Sequence, residues 1–310
     1  MNILITGASG FIGSVLLRKL ILQKHRVAII LRKEANTWRI NDLLPSVDVY
    51  RSDLTSANVL KKIVRETKPT IIYHLAAHGA YSYQDNAERI LHINIFGTWN
   101  LLQACRETNY DLFVNTGSSS EYGFKSSPMR ETDLLEPASY YAVTKCAQTL
   151  LCRHMAKEEK RPIVTLRPFS VYGPYEEPTR FIPTLMKSLL LTKKMDLVAP
   201  TVARDYIYVD DMVDAYVKID TLKKNPGECF NIGTGVQSTT REVVDTTVHV
   251  TGKTTTFQWG HMKNRAWDTK TWVADRTKAK KLLRWTPKTP LREGLKKTWA
   301  WFQKNSHYYV

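Results

Sequence analysis

The chain is short of cysteine, of long apolar runs and of negative charge. Its four cysteines (Cys105, Cys146, Cys152 and Cys229) form no CxxC pair. They are too few for a disulfide framework and show no metal-ligand spacing, so no metal is expected. They read as free thiols of a reducing compartment, and a cytoplasmic location is expected. The longest apolar run, 27–31, falls far below the roughly 20 residues that a membrane-spanning helix needs. The N-terminus shows no basic-then-apolar secretory pattern, so no membrane insertion is expected. Acidic residues are scarce: 29 Asp and Glu stand against 45 Lys and Arg, a formal net charge of +16. Such an excess suits nucleic acid, an anionic membrane or a small anionic ligand. It is uneven, because residues 261–310 carry 13 basic and only 3 acidic side chains.

What is present is ordinary for a globular enzyme. The 310 residues are 43% hydrophobic and 24% charged, which excludes disorder as the main state. Short apolar runs at 2–6, 26–31, 48–51, 71–75, 112–116 and 163–167 read as buried parallel strands. Helical patterns at 11–23, 57–67, 90–107 and 140–160 lie between them. That alternation predicts a doubly wound parallel α/β sheet. Past about residue 175 the rhythm breaks at Pro174, Pro178 and Pro183, and one helix is expected near 182–192. Residues 1–175 are therefore read as a dinucleotide-binding domain, and residues 176–310 mainly as a smaller, interleaved substrate lobe.

The first strand runs through Thr6-Gly7-Ala8-Ser9-Gly10-Phe11-Ile12-Gly13 directly into a helix. Glycines three apart let the backbone approach a pyrophosphate, which then meets the N–H groups at the helix start. The second strand ends Leu31-Arg32-Lys33, where a carboxylate would suit the ribose hydroxyls of NAD. Two cations instead suit a 2′-phosphate. NADP(H) is expected, with NAD(H) the alternative.

The fifth strand ends in a serine-rich segment, Gly117-Ser118-Ser119-Ser120-Glu121-Tyr122-Gly123. Tyr141 and Lys145 follow, four residues apart on one helix face. A lysine cation favours phenolate, so Tyr141 is expected to be more acidic than an ordinary tyrosine. Such a tyrosine exchanges a proton with a carbinol or carbonyl oxygen while a nicotinamide exchanges hydride with the attached carbon. A serine hydroxyl can hold that oxygen.

With these motifs the chain resembles the extended short-chain dehydrogenase/reductase family, in its nucleotide-sugar epimerase, dehydratase and ketoreductase branch. Further carriers are Asp53-Leu54, His74-Leu75-Ala76-Ala77, Leu166-Arg167-Pro168, Val171-Tyr172-Gly173-Pro174, Arg204-Asp205-Tyr206 and Asn231-Ile232-Gly233. The resemblance implies a Rossmann-type fold and a Ser118, Tyr141 and Lys145 triad. It implies adenine contacts from Asp53 and Leu54, with Leu75, Ala76 and Ala77 along the cofactor beside the fourth strand. It also implies that Arg204 and Arg265 grip the diphosphate of a nucleotide-sugar. Arg180, His78 and Ser119 are further candidate substrate contacts, and Tyr81 and Tyr83 stand nearby. The helices at 90–107 and 140–160 match the pair through which relatives form a homodimer with a four-helix interface.

Within the family, 4,6-dehydratases carry an acid and a base just after the catalytic Ser or Thr. Ser119 and Ser120 stand in those positions here, and Glu121 is expected on the opposite side of the chain. A dehydratase is therefore not expected. The Arg32-Lys33 pair favours an NADP(H)-dependent reductase acting on a keto group, at C4, of a nucleotide-linked 6-deoxysugar. The alternative is an epimerase with a tightly bound cofactor. A non-catalytic NAD(P) sensor or a nucleic-acid-binding protein would compete, but Tyr141 and Lys145 are both present and no reader motif for nucleic acid is visible.

Overall fold

The computed structural model describes residues 1–81, 83–262 and 269–310. Seven strands pair side by side, all parallel. In chain order they are Asn2–Thr6, Arg26–Leu31, Asp48–Arg51, Ile71–His74, Leu112–Thr116, Ile163–Pro168 and Cys229–Ile232. In space the order is seventh, sixth, fifth, fourth, first, second, third. The sheet is a Rossmann-type α/β arrangement, and the chain reverses direction of growth between the first and fourth strands. A crevice opens at the carboxyl ends of strands at such a switch point.

Side-chain alternation along each strand divides the core between two faces. Ile3, Ile5, Val27, Ile29 and Ile71 pack on one side with Leu16, Leu17 and Leu20 of the helix Phe11–Leu22 and with Met212 and Tyr216 of the helix Val209–Tyr216. Leu4, Ala28, Ile30, Ile72 and Phe113 pack on the other. Their partners come from the helices Ala57–Thr67, Gly97–Arg106 and Tyr140–Glu158. Burial on both sides explains why all but the exposed edge strand Asp48–Arg51 read as continuous apolar runs.

One expected helix differs. The segment 90–107 folds as Ala87–Leu91, a π-helical turn His92–Phe96, and Gly97–Arg106. A Cβ at Gly97 would sit 2.9 Å from the Leu54 Cβ, so the helix lies hard against the turn that follows the third strand. The widened turn buries Asn94, whose side chain brackets the backbone N–H and C=O of His78 at 2.7 and 2.8 Å.

After residue 175 the helix Phe181–Leu191 forms near its expected place. With the helices Thr240–Thr251 and Leu291–Asn305 it encloses a separate apolar cluster around Leu185, Met186, Val243, Leu295 and Phe302. Short strand pairs tie this part back to the sheet: Ser170–Tyr172 pairs with Tyr206–Tyr208. Among the described residues no helix is long and apolar enough to cross a membrane. Cys105, Cys146 and Cys152 are buried and all four cysteines are free.

Candidate active site

The glycine turn is shaped by two close approaches. Gly7 has φ +78°, and a Cβ there would meet the Ala76 nitrogen at 2.5 Å. A Cβ at Gly13 would meet the Gly7 carbonyl oxygen at 2.1 Å. The helix Phe11–Leu22 therefore starts tightly against the first strand, capped by Gly10 with no side-chain hydrogen bond. Its unclaimed N–H groups and the absent side chains leave a cradle that fits a dinucleotide pyrophosphate.

That cradle is one end of a cleft of about 1490 Å³. Ser9, Gly10, Phe11 and Ile12 line it beside Leu75, Ala76 and Ala77. Asp53 and Leu54 also line it, and Asp53 Oδ1 accepts from the Thr55 backbone N–H and hydroxyl at 2.9 and 2.8 Å. Of the two cations after the second strand, only Arg32 is in the lining; Lys33 is exposed and outside it. Neighbouring residues leaving a strand point in different directions, so one cleft wall cannot use both.

The serine segment is fixed from beneath. Ser118 caps the turn Ser119–Tyr122, its Oγ accepting from Ser120 N–H at 3.1 Å. The Ser118 N–H donates in return to Glu121 Oε1 at 2.8 Å. Glu121 is wholly buried, as expected of a side chain pointing away from the cleft. It receives Arg167 Nη2 and Nε at 2.8 and 2.9 Å and the Thr149 hydroxyl at 3.1 Å. Ser119 faces the cleft and accepts from the Trp272 indole at 3.1 Å.

Tyr141 and Lys145 lie on the first turns of Tyr140–Glu158, which is capped by the Ser139 hydroxyl. Lys145 is buried, donates to the Thr116 carbonyl at 2.8 Å, and has Nζ 5.8 Å from the Tyr141 ring centre. Here one expectation is corrected. Burial pushes the Tyr141 hydroxyl up to about 12, and its contact with Ser118 offsets this only in part. Burial also lowers Lys145 to about 8, with Glu121 acting in the opposite sense. Desolvation disfavours both charged forms and outweighs the attraction inferred from spacing alone.

His78, Arg180 and Arg204 also line the cleft. Burial first, then Arg89 and Arg32, hold His78 below the ordinary histidine range. Arg180 donates to the Ala80 carbonyl at 3.2 Å and lies over the Tyr81 ring. Arg204 donates to the Ala203 carbonyl at 2.7 Å and lies over the Trp272 ring. Arg265 is outside the described residues. Tyr81 and Tyr83 stack on each other at 5.5 Å. His74 is buried between the Thr6 and Thr98 hydroxyls, and burial lowers it to about 3, so it is neutral. Trp272 in the cleft wall is an addition that no motif indicated, and Glu176, which ends the segment 169–176, also lines it. The capping box joining Ser118 to Glu121 was legible as an S-x-x-E pattern, although Arg167 as its partner was not.

Comparison with known proteins agrees with this geometry. The model of the NAD dependent epimerase/dehydratase family matches residues 3–233. A Bacillus subtilis protein described as an uncharacterized UDP-glucose epimerase is 32% identical, over 95% of this chain and 96% of its own length. The Thermotoga maritima UDP-glucose 4-epimerase structure with UDP-glucose superposes with a TM-score of 0.90 at 28% identity, covering 99% and 100% of the two chains. The Bacillus cereus UDP-glucuronic acid 4-epimerase, in complex with UDP-glucuronic acid and NAD, gives 0.87 at 30% identity, covering 98% and 100%.

Proposed function

This chain belongs to the NAD dependent epimerase/dehydratase family, and on that premise we propose that it is a nucleotide-sugar epimerase. It inverts a hydroxyl-bearing ring carbon, C4, of a nucleotide-linked hexose and keeps its NAD(P) through the cycle. The observation that carries this is the pairing of Tyr141 with Ser118 where Ser119 and Ser120 bring no carboxyl. Eliminating water needs a second acid–base pair; oxidising and re-reducing one carbon needs a single group that takes and returns one proton. The named activities of the relatives support the same choice.

The chain's own groups then have distinct tasks. A dinucleotide in the cradle supplies a hydride acceptor and, in its oxidised form, a positive ring. The Tyr141 oxygen takes the proton of the sugar hydroxyl and later returns it. Ser118, tied down by Glu121, holds that same sugar oxygen by its hydroxyl. Lys145 anchors the cofactor ribose side of the cleft and favours phenolate at Tyr141 when it is charged. Gly7 to Gly13, Arg32, Asp53, Leu54 and Leu75 to Ala77 contact the cofactor. His78, Ser119, Arg180, Arg204 and Arg265 are assigned to the substrate, Arg204 and Arg265 at its diphosphate.

Other features follow from the same reading. Residues 1–175 with the returning seventh strand form the cofactor unit, and residues 176–310 mainly the substrate unit. The protein works in the cytoplasm as a homodimer. Phe96, Trp99, Val143 and Leu150 are each more than 40% exposed along the paired helices 87–106 and 140–158, which supports that interface. Arg32 in the cleft favours a second reading, an NADPH-dependent reductase of a 4-keto-6-deoxy sugar nucleotide.

The two readings separate cleanly. Protein incubated with glucose on UDP, dTDP, CDP or GDP, without added nicotinamide nucleotide, is expected to form the C4 epimer. Denaturing it is expected to release stoichiometric dinucleotide. If no epimer forms, while NADPH is consumed with a 4-keto-6-deoxy nucleotide sugar, the reductase is correct.

A further inference from the structure

Of the three serines after the fifth strand, Ser120 has no task in the proposed reaction. It lines the same cleft as Ser118 and Tyr141. The groups beside it are engaged elsewhere. The Ser119 hydroxyl accepts from the Trp272 indole at 3.1 Å, and the Ser118 N–H donates to Glu121 Oε1 at 2.8 Å. Ser120 turns back on Ser118 twice. Its backbone N–H donates to the Ser118 Oγ at 3.1 Å, and its own Oγ lies 2.7 Å from that same atom. Among the described residues, the Ser118 Oγ is the sole hydrogen-bond partner of the Ser120 hydroxyl.

A serine hydroxyl has one hydrogen to give and two lone pairs with which to accept. The Ser120 N–H already occupies one lone pair of Ser118. At 2.7 Å one of the two hydroxyls donates to the other. If Ser118 were the donor, its single hydrogen would point at Ser120 and a sugar oxygen in the cleft would receive nothing from it. The Ser120 hydrogen would then have no acceptor among the described residues. If Ser120 is the donor, both lone pairs of Ser118 are filled and its hydrogen is left for the cleft. Only this second arrangement gives both hydrogens an acceptor once a ligand oxygen arrives, so the ligand selects it.

Resting on the nucleotide-sugar reading of this cleft, we propose that Ser120 is a positioning residue that makes Ser118 a donor only. A Ser118 that cannot accept a proton cannot relay one. It steadies the sugar oxygen as negative charge develops there. The proton of the sugar hydroxyl passes directly to the Tyr141 oxygen while hydride leaves the attached carbon for the cofactor, and both return by the same route. Ser120 itself touches no reacting atom.

The test is steady-state turnover by the holoprotein and its Ser120→Ala, Ser120→Thr, Ser118→Ala and doubly substituted Ser118→Ala/Ser120→Ala variants. The substrate is whichever the wild type uses, a glucosyl nucleotide without added cofactor or a 4-keto-6-deoxy nucleotide sugar with NADPH. Ser118 donates to the sugar oxygen in either reaction. Ser120→Ala is expected to lower kcat about fivefold to twentyfold, with KM within about twofold of wild type. Ser120→Thr, which keeps the hydroxyl, recovers most of that loss. Ser118→Ala is expected to lose about a hundredfold. Adding Ser120→Ala to it costs less than about twofold more, because a residue that acts through Ser118 then has nothing to act on. Ser120→Ala keeps the backbone bond to Ser118, so its melting temperature stays within about 2 °C of wild type. Losses that multiply in the double variant, a rise in KM in place of a fall in kcat, lower melting alongside the loss, no recovery with threonine, or full activity in Ser120→Ala would each overturn this assignment alone. A wild type with neither activity overturns the nucleotide-sugar reading and this assignment with it.

Discussion

Lys145 is buried and Tyr141 lines the cleft, and desolvation favours the neutral form of each. Their spacing was legible because four residues bring two side chains onto one helix face. Their acidities were not, since burial is set by the walls of a cleft contributed by distant segments. Lys145 has a testable stability signature. Its folded value of about 8 lies below its ordinary 10.5, so the unfolded chain binds the proton more readily between those limits. Stability attached to this group is intact above about pH 10.5, falls as pH drops toward 8, and is lowest below that. Lys145→Met is therefore expected to abolish turnover yet melt higher than wild type at pH 7, by an amount on the order of 1–3 kcal/mol. The gap should shrink measurably by pH 9.5. An equal gap at both pH values would contradict the account of Lys145.

At the scale of elements, five of the strands were readable because parallel strands covered on both sides are continuous apolar runs, whereas the third, Asp48–Arg51, is a largely exposed edge strand. The seventh strand, Cys229–Ile232, is four residues long and follows a break in the rhythm, so nothing local marks it as part of the sheet. The π-helical turn at His92–Phe96 was also invisible, because its buried Asn94 bonds the backbone of His78 in an earlier segment. The serine segment depends on a similar long-range partner. Glu121 and Arg167 are both buried and satisfy each other beneath Ser118. Removing one partner strands the other charge, so Glu121→Ala is expected to cost about 3–5 kcal/mol in denaturant unfolding. It should also loosen Ser118 and depress turnover more than affinity for the bare nucleotide. A loss below about 1 kcal/mol would show that this pair does not hold the segment.

For the whole molecule, the basic excess is partly absorbed by ion pairs and largely displayed to solvent. Lys278 meets Glu228 at 2.5 Å and Lys288 meets Asp214 at 3.5 Å, whereas Lys296, Lys297 and Lys304 are exposed on the terminal helix. With a dinucleotide and a nucleotide diphosphate as the proposed ligands, such a field would draw both toward the cleft without needing a polyanion. The exposed apolar face on helices 87–106 and 140–158 has a different consequence. Leu150 is 54% exposed at its middle. Leu150→Asp is expected to convert a dimer to a monomer in light scattering, with melting of the monomer little changed. A wild type that is already monomeric at micromolar concentration would contradict that interface.

In the proposed reaction one carbon is oxidised and reduced again within the cleft, with Tyr141 as the proton carrier for its oxygen. Its most direct test is the conversion of UDP-glucose carrying deuterium at C4, with no added cofactor, in ordinary water. The account predicts the C4 epimer with deuterium retained at C4, because the hydride that leaves is the one that returns. Deuterium replaced by solvent hydrogen in the product would contradict it.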